Sequence, residues 1–334
     1  VLVAAQPASR LLSEAERAGV PALPVRMRGA WDVGAGLALR RLMRERRVDV
    51  VHTHSSVDSW VAGVAARSLG LAVVRSRHVS IPIPRRRALV YHLADRIVTS
   101  GDAVAGIVAA AGVPPERIVA IGPGVDTQRF HPGVSGSAVR AELGLTGPAI
   151  GLVANIRGSK GHRFFLEAAR EVLRTRADAR FVIVGDGVGF GDVRRRVEEL
   201  GLGACVRMTG FRRDIPEVMA ALDVLVLPSV KSEAMSQVIP QALAVGTPVV
   251  GTTVGGTPEL VRDGETGRLV PPADAAALAR AILDLLRDPE GARAMARRGQ
   301  AEVLARHSME AAMTRLVAVY TAAQAAQAAR GRTG

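Results

Sequence analysis

What most constrains this chain is a rhythm. Short β-branched runs, "VLVAA" (1–5), "VDVVHTH" (48–54), "AVVRS" (72–76), "RIVTS" (96–100) and "RIVAIG" (117–122), are separated by helix-length amphipathic or Ala-rich stretches. A segment carrying Gly, Pro and Ser, "HPGVSGSAVRAELGLTGP" (131–148), interrupts the rhythm and reads as a linker. The alternation then restarts with "AIGLVAN" (149–155), a helix over about 161–175, "ARFVIVGDG" (179–187), a helix near 190–201, "VRMTG" (206–210), "DVLVLPS" (223–229) and "TPVVGTT" (247–253). Parallel strands need crossovers of helix length. The pattern therefore predicts an α/β chain of two doubly wound, Rossmann-like domains facing a central crevice, where ligand binds.

The expected units are a first Rossmann-like domain over 1–134, a second over 135–310, and a C-terminal helix and tail over 311–334 placed to pack back on the first domain. Its Ala-rich end, "AAQAAQAARGRTG" (322–334), is expected to fray. A doubly wound domain normally opens with a strand, a glycine turn and a helix, yet this chain opens on "VLVAAQP" without an initiator Met. The expectation is that one βα unit of about 30 residues is absent from the first domain. With no basic start and no long apolar core, the opening is not expected to be a signal peptide.

Composition narrows the partners. At 334 residues the chain exceeds one hydrophobic core. Although 48% of it is hydrophobic, no uninterrupted apolar run approaches the length of a membrane span, so a soluble protein is expected. The single cysteine, Cys205, excludes an internal disulfide and a Cys-rich metal site, and fits a reducing cytoplasm. A net charge of +13 implies an anionic partner, while 3% aromatic residues leave few stacking platforms and argue against nucleic acid. Nucleotide phosphates and acidic lipid remain. "LRRLMRERR" (39–47) and "IPIPRRRALVYHLADR" (81–96), the latter with Arg85, Arg86 and Arg87, are read as a face of the first domain that docks on an anionic membrane, against the equal alternative of a solvated Arg-rich face. The expected place is the cytoplasm, peripheral to the inner face of the cell membrane.

The chemistry gathers in the second half. "GLVANIRGSKGH" (151–162) puts Arg157 and Lys160 in a turn after a strand, a cation pair suited to a diphosphate, against the alternative of a solvated basic turn. "VGDGVG" (184–189) lacks the full dinucleotide fingerprint and reads as a tight turn. In "SEAMSQVIPQALAVGTPVV" (232–250), Pro240 belongs in the first turn of a helix starting near Ser236 or a little later. That leaves the N–H groups around Met235, Ser236, Gln237 and Val238 free to meet a phosphate. Glu233, just outside this anion site, would be repelled by phosphate and so suits neutral sugar hydroxyls. Gln241, a turn into the helix, could reach a ribose; without the neighbouring features the pair would read as a solvated loop carboxylate and an ordinary polar helix residue.

These motifs, in this order, resemble family 4 of the retaining glycosyltransferases, which have the two-domain GT-B fold. The resemblance rests on "DVVHTH" (49–54), "ADRIVTS" (94–100), "GVDTQRF" (124–130), "IRGSKGH" (156–162), "VIVGDG" (182–187), "GFRRDIPEVMAALDVLVLPS" (210–229), "EAMSQVIPQALAVGTPVV" (233–250) and "GGTPELVRDGETGRLVPPAD" (255–274). It implies that Lys160 and Arg157 hold the donor diphosphate, and that the loop of Gly210, Phe211 and Arg212 receives the base. Glu233 would contact the donor sugar and Gln241 the ribose, an amide where the family has a second glutamate. The family's usual diphosphate arginine falls on Asn155, with Arg157 as substitute, and Pro123 stands where an asparagine is common.

The family's first-domain histidine matches His54, placed to hydrogen-bond the donor sugar or the reacting phosphate oxygen. His52 is expected on the opposite strand face in a structural role, and His78 at a strand end serves either acceptor binding or loop packing. No Asp-x-Asp pair is present to hold a divalent ion, so the resemblance implies a metal-independent transfer with retention. The implied donor is a UDP-, GDP- or ADP-sugar, with no further cofactor. The acceptor is a hydroxyl, lipid-linked or on a cell-envelope glycan. The alternatives are a GT-B sugar-nucleotide epimerase, a non-catalytic nucleotide-sugar binder and, more distantly, an NAD-dependent dehydrogenase.

Overall fold

A computed structural model describes residues 1–331, with only the backbone of Arg85. Twelve strands are present, all paired in parallel: β1 (Val3–Ala5), β2 (Ala22–Pro24), β3 (Val50–Thr53), β4 (Ala72–Arg77), β5 (Arg96–Thr99), β6 (Ile118–Ala120), β7 (Ala149–Val153), β8 (Arg180–Val184), β9 (Val206–Gly210), β10 (Val224–Leu227), β11 (Val249–Thr252) and β12 (Arg268–Val270). They form a pair β1-β2, a four-stranded sheet β3-β4-β5-β6 and a six-stranded sheet β12-β11-β10-β7-β8-β9. Every successive pair of strands is joined through helix, as parallel pairing requires.

The six-stranded sheet is buried on both faces, which is why "RFVIV" (180–184) and "VLVL" (224–227) are continuous apolar runs rather than alternating ones. Phe181 and Ile183 face one core with Phe165, Leu166 and Ile282, and Val182 and Val184 face the other with Leu225, Leu227 and Ile239. In the four-stranded sheet, Val51, Val73 and Ile97 pack under helices Val33–Glu45 and Ser56–Arg67. The opposite face, Ala72, Val74 and Val98, is covered by Val319 and Ala323 of the terminal helix Met309–Gly331. That helix stays regular to Gly331, so residues 322–331 of the expected frayed end are helical. Residues 332–334 lie outside the described residues.

Two expectations need correction. The segment 131–148 is not a free linker. Its centre is a helix, Ser137–Leu143, whose Arg140 donates to the Ala221 carbonyl and the Asp223 carboxylate, while Val139 and Leu145 enter the second core. The chain instead crosses between domains at Val125, whose N–H and carbonyl bond His307 and Met309 of the returning strand of chain. β2 and β12 were also unexpected, because three residues at a sheet edge are too few to show a period.

Candidate functional site

In the six-stranded sheet β7 and β10 are neighbours although far apart in sequence, so the connections leaving their carboxyl ends run apart and open a crevice. Two loops fill it, residues 154–161 after β7 and 228–237 after β10. They are joined by Val230 N–H bonding the Ser159 carbonyl at 2.9 Å. Gly161 lies between them with φ +71°, where an added Cβ would sit 1.8 Å from the Pro228 carbonyl oxygen. Only glycine satisfies both demands.

This approach brings Lys160 onto Glu233. Lys160 Nζ donates to Glu233 Oε2 at 2.7 Å, and Ser229 Oγ donates to the same oxygen at 2.6 Å. Glu233 is 6% exposed and the Lys160 side chain 14%. Sequence reasoning assigned the two residues separately to sugar and diphosphate and missed the ion pair. No local signal joins positions 73 residues apart. Lys160 has three donors and Glu233 two acceptor oxygens, so each keeps capacity for a ligand beyond the bond they share.

Immediately after Glu233 begins the helix Val238–Val245. Backbone N–H groups from Met235 through Ile239 make no hydrogen bond among the described residues, and Pro240 has no N–H to offer. Unmet donors at the positive end of a helix favour an anion. Ser236 is buried, Gln237 exposed, Val238 partly buried, and Gln241 partly exposed one turn in. Arg157 and Asn155 are exposed on the facing loop, and Arg157 makes no ion pair among the described residues.

Gly210, with φ +72°, ends β9 and turns Phe211 outward to 60% exposure. Phe211 and Arg213 face Arg10, Ser13, Glu14 and Arg17 of the first domain across a cavity of about 300 Å³. Arg212 does not join them. Its guanidinium pairs with both oxygens of Glu142, at 2.6 and 2.8 Å, and with Asp214, two carboxylates that push its pKa up. The arginine expected to meet the base is committed to holding helix Ser137–Leu143 in place, and Arg213 is the one turned to the cavity.

On the opposite wall His54 follows β3 and His78 follows β4. The rings stack, 4° from parallel, with His54 Nδ1 and His78 Nε2 3.1 Å apart, so one proton bridges them. The walls of the crevice strip water from both rings and lower both pKa values. His54 opposes the charge of His78, while Asp58 works against the shift at His54. The loop holding His54 is fixed by Asp58, which accepts from the N–H groups of His54 (2.9 Å) and Ser55 (2.7 Å). His52 is on the same side as His54, not the opposite one, since residues two apart on a strand share a face. Their ring centroids are 4.3 Å apart. His52 bonds Ser76 Oγ at 2.8 Å and Tyr320 Oη at 2.9 Å, tying the terminal helix to β3, and burial first, then His54 and His78, depress its pKa to about 3.

Among the described residues the walls are joined by polar contacts near the loop 228–237. Ser80 Oγ lies 3.3 Å from Ser232 Oγ, and Glu259 accepts from the N–H groups of Asp102 and Ala103, each at 2.7 Å. Glu259 was not singled out from sequence, because a glutamate in "GGTPEL" carries no local sign of a partner in the other domain.

Residues 147–288 match the family described as "Glycosyl transferases group 1", and residues 1–129 match "Glycosyltransferase Family 4". A D-inositol 3-phosphate glycosyltransferase of Segniliparus rotundus is 32% identical over 302 residues, covering 83% of this chain and 67% of its own length. A 2-deoxystreptamine glucosyltransferase of Streptomyces kanamyceticus is 31% identical, covering 85% and 81%. Among solved structures, Anabaena HepE in complex with UDP superposes with a TM-score of 0.88 at 22% identity, over 96% of this chain and 91% of that one. A glycosyltransferase of Rickettsia africae gives 0.89 at 20% identity, over 96% and 89%. With both of its halves matched in order and both walls of the crevice in place, the chain belongs to the family 4, group 1 glycosyltransferases and has their GT-B fold.

Proposed function

We propose that this glycosyltransferase moves a sugar from a nucleoside diphosphate sugar to an alcohol, with retention at the anomeric carbon and without a divalent metal. The observation that carries this reading is the row of unmet N–H groups from Met235 to Ile239 beside the Lys160–Glu233 pair. The diphosphate sits over those groups, with Lys160 and Arg157 supplying the positive charge that a metal supplies elsewhere. Glu233 turns its second oxygen to a sugar hydroxyl, Gln241 meets the ribose, and Phe211 and Arg213 border the space for the base. HepE has been solved with UDP and with UDP-glucose, which favours a UDP-sugar among the possible donors.

In the reaction the bond from the anomeric carbon to the leaving phosphate oxygen breaks, and the acceptor oxygen bonds the same face of that carbon. The acceptor proton passes to the leaving phosphate. His54, kept neutral by its surroundings, donates a hydrogen bond to the sugar or to the departing oxygen and is not assigned as a base. Asn155 and Ser236 complete the donor pocket and His78 the acceptor side. Relatives named for inositol 3-phosphate and 2-deoxystreptamine, both polyhydroxylated rings, support an alcohol nucleophile. The test is calorimetry with UDP on Lys160→Ala. Loss of a hydrogen bond to a charged group weakens binding by about 1.5–3 kcal/mol. Unchanged affinity overturns the donor-site reading, and transfer abolished by a chelator and restored by a divalent ion overturns metal independence.

A second reading concerns where the acceptor is met. The chain's two tryptophans, Trp31 and Trp60, stack on the outer face of the first domain with centroids 5.5 Å apart, and Trp31 is 82% exposed. Val33, Leu37 and Val64 continue the exposed apolar surface, and Arg40, Arg41 and Arg44 border it on helix Val33–Glu45. Tryptophan favours a bilayer interface and arginine an anionic one. The face therefore suits an anionic bilayer presenting a lipid-linked acceptor. In the stretch 81–96, Val90 and Tyr91 point into the core, while Ile81, Arg86, Arg87 and Leu89 are exposed. The side chain of Arg85 lies outside the described residues. Among the described residues no helix is long and apolar enough to cross a membrane.

A further inference from the structure

We propose that Glu259 is a positioning residue that clasps the two domains together and, through that clasp, holds the donor loop in register with the opposite wall. The proposal rests on the reading of the crevice as a sugar-transfer site and adds a residue that touches neither substrate.

The helix Asp102–Ala110 of the first domain begins at Gly101, which has no side chain with which to cap it. The missing cap comes from the other domain. The two carboxylate oxygens of Glu259 each accept one N–H, Oε2 from Asp102 and Oε1 from Ala103, both at 2.7 Å. Charge-assisted bonds at the positive end of a helix are among the stronger polar contacts a protein makes. Here they cross the crevice. A Cβ on Gly101 would lie 2.6 Å from Glu259 Oε2 and 2.6 Å from Met235 Cε, so the absent side chain is also what admits the clasp.

Glu259 is in turn fixed to the donor loop. It stands on the short helix Thr257–Leu260, and the preceding Gly256 N–H bonds the Glu233 carbonyl at 3.0 Å. Gly255 has φ +56°, and a Cβ there would fall 1.7 Å from that same carbonyl oxygen, so the two backbones are in direct contact. Met235, whose N–H opens the anion site, extends its side chain to Gly101 and Gly122 of the first domain. Gripping the helix at Asp102 therefore fixes Glu233 and Met235 relative to His54. The other crossing, at Val125 and Ser308, is a pair of chain segments that can act as a pivot. Transfer needs both walls in register, whereas binding of nucleotide needs only the second.

The experiment compares the full chain with Glu259→Ala, Glu259→Gln and Gly101→Ala for UDP affinity, kcat and KM of transfer, and small-angle scattering. Glu259→Ala is expected to lower kcat by about tenfold or more, the weight of about 1.4 kcal/mol. UDP affinity should stay within about twofold, and the radius of gyration should rise. Glu259→Gln, which keeps one good acceptor oxygen, should recover part of kcat. Gly101→Ala should reproduce the loss from the other side, with Glu259 intact. Wild-type kcat in Glu259→Ala overturns the proposal, as does a loss of kcat with unchanged scattering. Failure of the unmodified chain to bind UDP breaks the donor-site reading instead, and the scattering comparison still judges the clasp.

Discussion

The second domain gathers its six strands into one sheet whose central members are buried on both faces. The first divides six strands between a pair and a sheet of four, and β1, β2 and β6 are only three residues long. Charge is unequal too: residues 1–134 hold 18 arginines against 10 acidic residues, most of the net charge of the whole chain. The loop 228–237 therefore grows from the body with the more continuous core, which carries its unmet backbone N–H groups and the Lys160–Glu233 pair. The first domain is a lighter, more basic body, packed against the terminal helix and bonded to the second domain through the two hydrogen bonds of Glu259. A nucleotide is the same for every member of a chemical class and rewards a fixed site. An acceptor varies, and a body with less core accommodates change at lower cost.

The sharpest way to break this comparison is to damage each core separately. Phe181, fully buried in β8 and edge-on to Phe165 at 5.8 Å, should cost about 3–5 kcal/mol when replaced by alanine. Scanning calorimetry with and without UDP identifies the transition that nucleotide stabilises. Phe181→Ala is expected to lower that transition, and Ile97→Ala, in the first domain, to lower the other. If both substitutions move both transitions equally, the halves are one cooperative unit and the contrast drawn here is wrong.

A smaller effect distinguishes the halves by pH. His52 has a folded-state pKa of about 3 against about 6.5 unfolded, so the unfolded chain binds the extra proton between these values. The stabilisation is complete above pH 6.5 and is lost as pH falls toward 3, at about 1.4 kcal/mol per unit. From pH 6.5 to 5 the first domain should lose about 2 kcal/mol and loosen the terminal helix held by Tyr320, as urea titrations at several pH values would measure. His52→Gln should reduce that slope and leave the part carried by His54 and His78, whose pKa values burial also lowers. A variant as pH-sensitive as the parent would place the titration elsewhere.

How much of this was legible follows the range of each interaction and not the half in which it lies. Ten of the twelve strands announce themselves by β-branched runs, and the free N–H groups around Met235 follow from Pro240 alone, because both signals are local. The Lys160–Glu233 pair, the clasp of Glu259 and the return of Tyr320 to His52 join residues 73, more than 150 and 268 positions apart, and nothing local records such distances. Arg212 failed for a related reason. A cation in the right loop looks the same in sequence whether its carboxylate partner is a neighbour such as Asp214 or lies 70 residues away at Glu142.

The smallest effect concerns the outer face of the first domain. If Trp31 and the arginines of helix Val33–Glu45 rest on an anionic bilayer, vesicles containing phosphatidylglycerol should sediment the protein and vesicles of phosphatidylcholine alone should not. Each basic residue near such a surface contributes about 1 kcal/mol, and high salt screens that attraction. Replacing Trp31 by alanine removes one interfacial ring and should weaken partitioning by about fivefold, or about 1 kcal/mol, while UDP affinity, set by the other domain, stays as it was. Equal sedimentation with both vesicles would leave the basic excess of residues 1–134 as a solvated surface. A concentration-dependent dimer abolished by Trp31→Ala would give the apolar face to a second copy of the chain. In either case the difference between the halves would lie in their cores and not in what they touch.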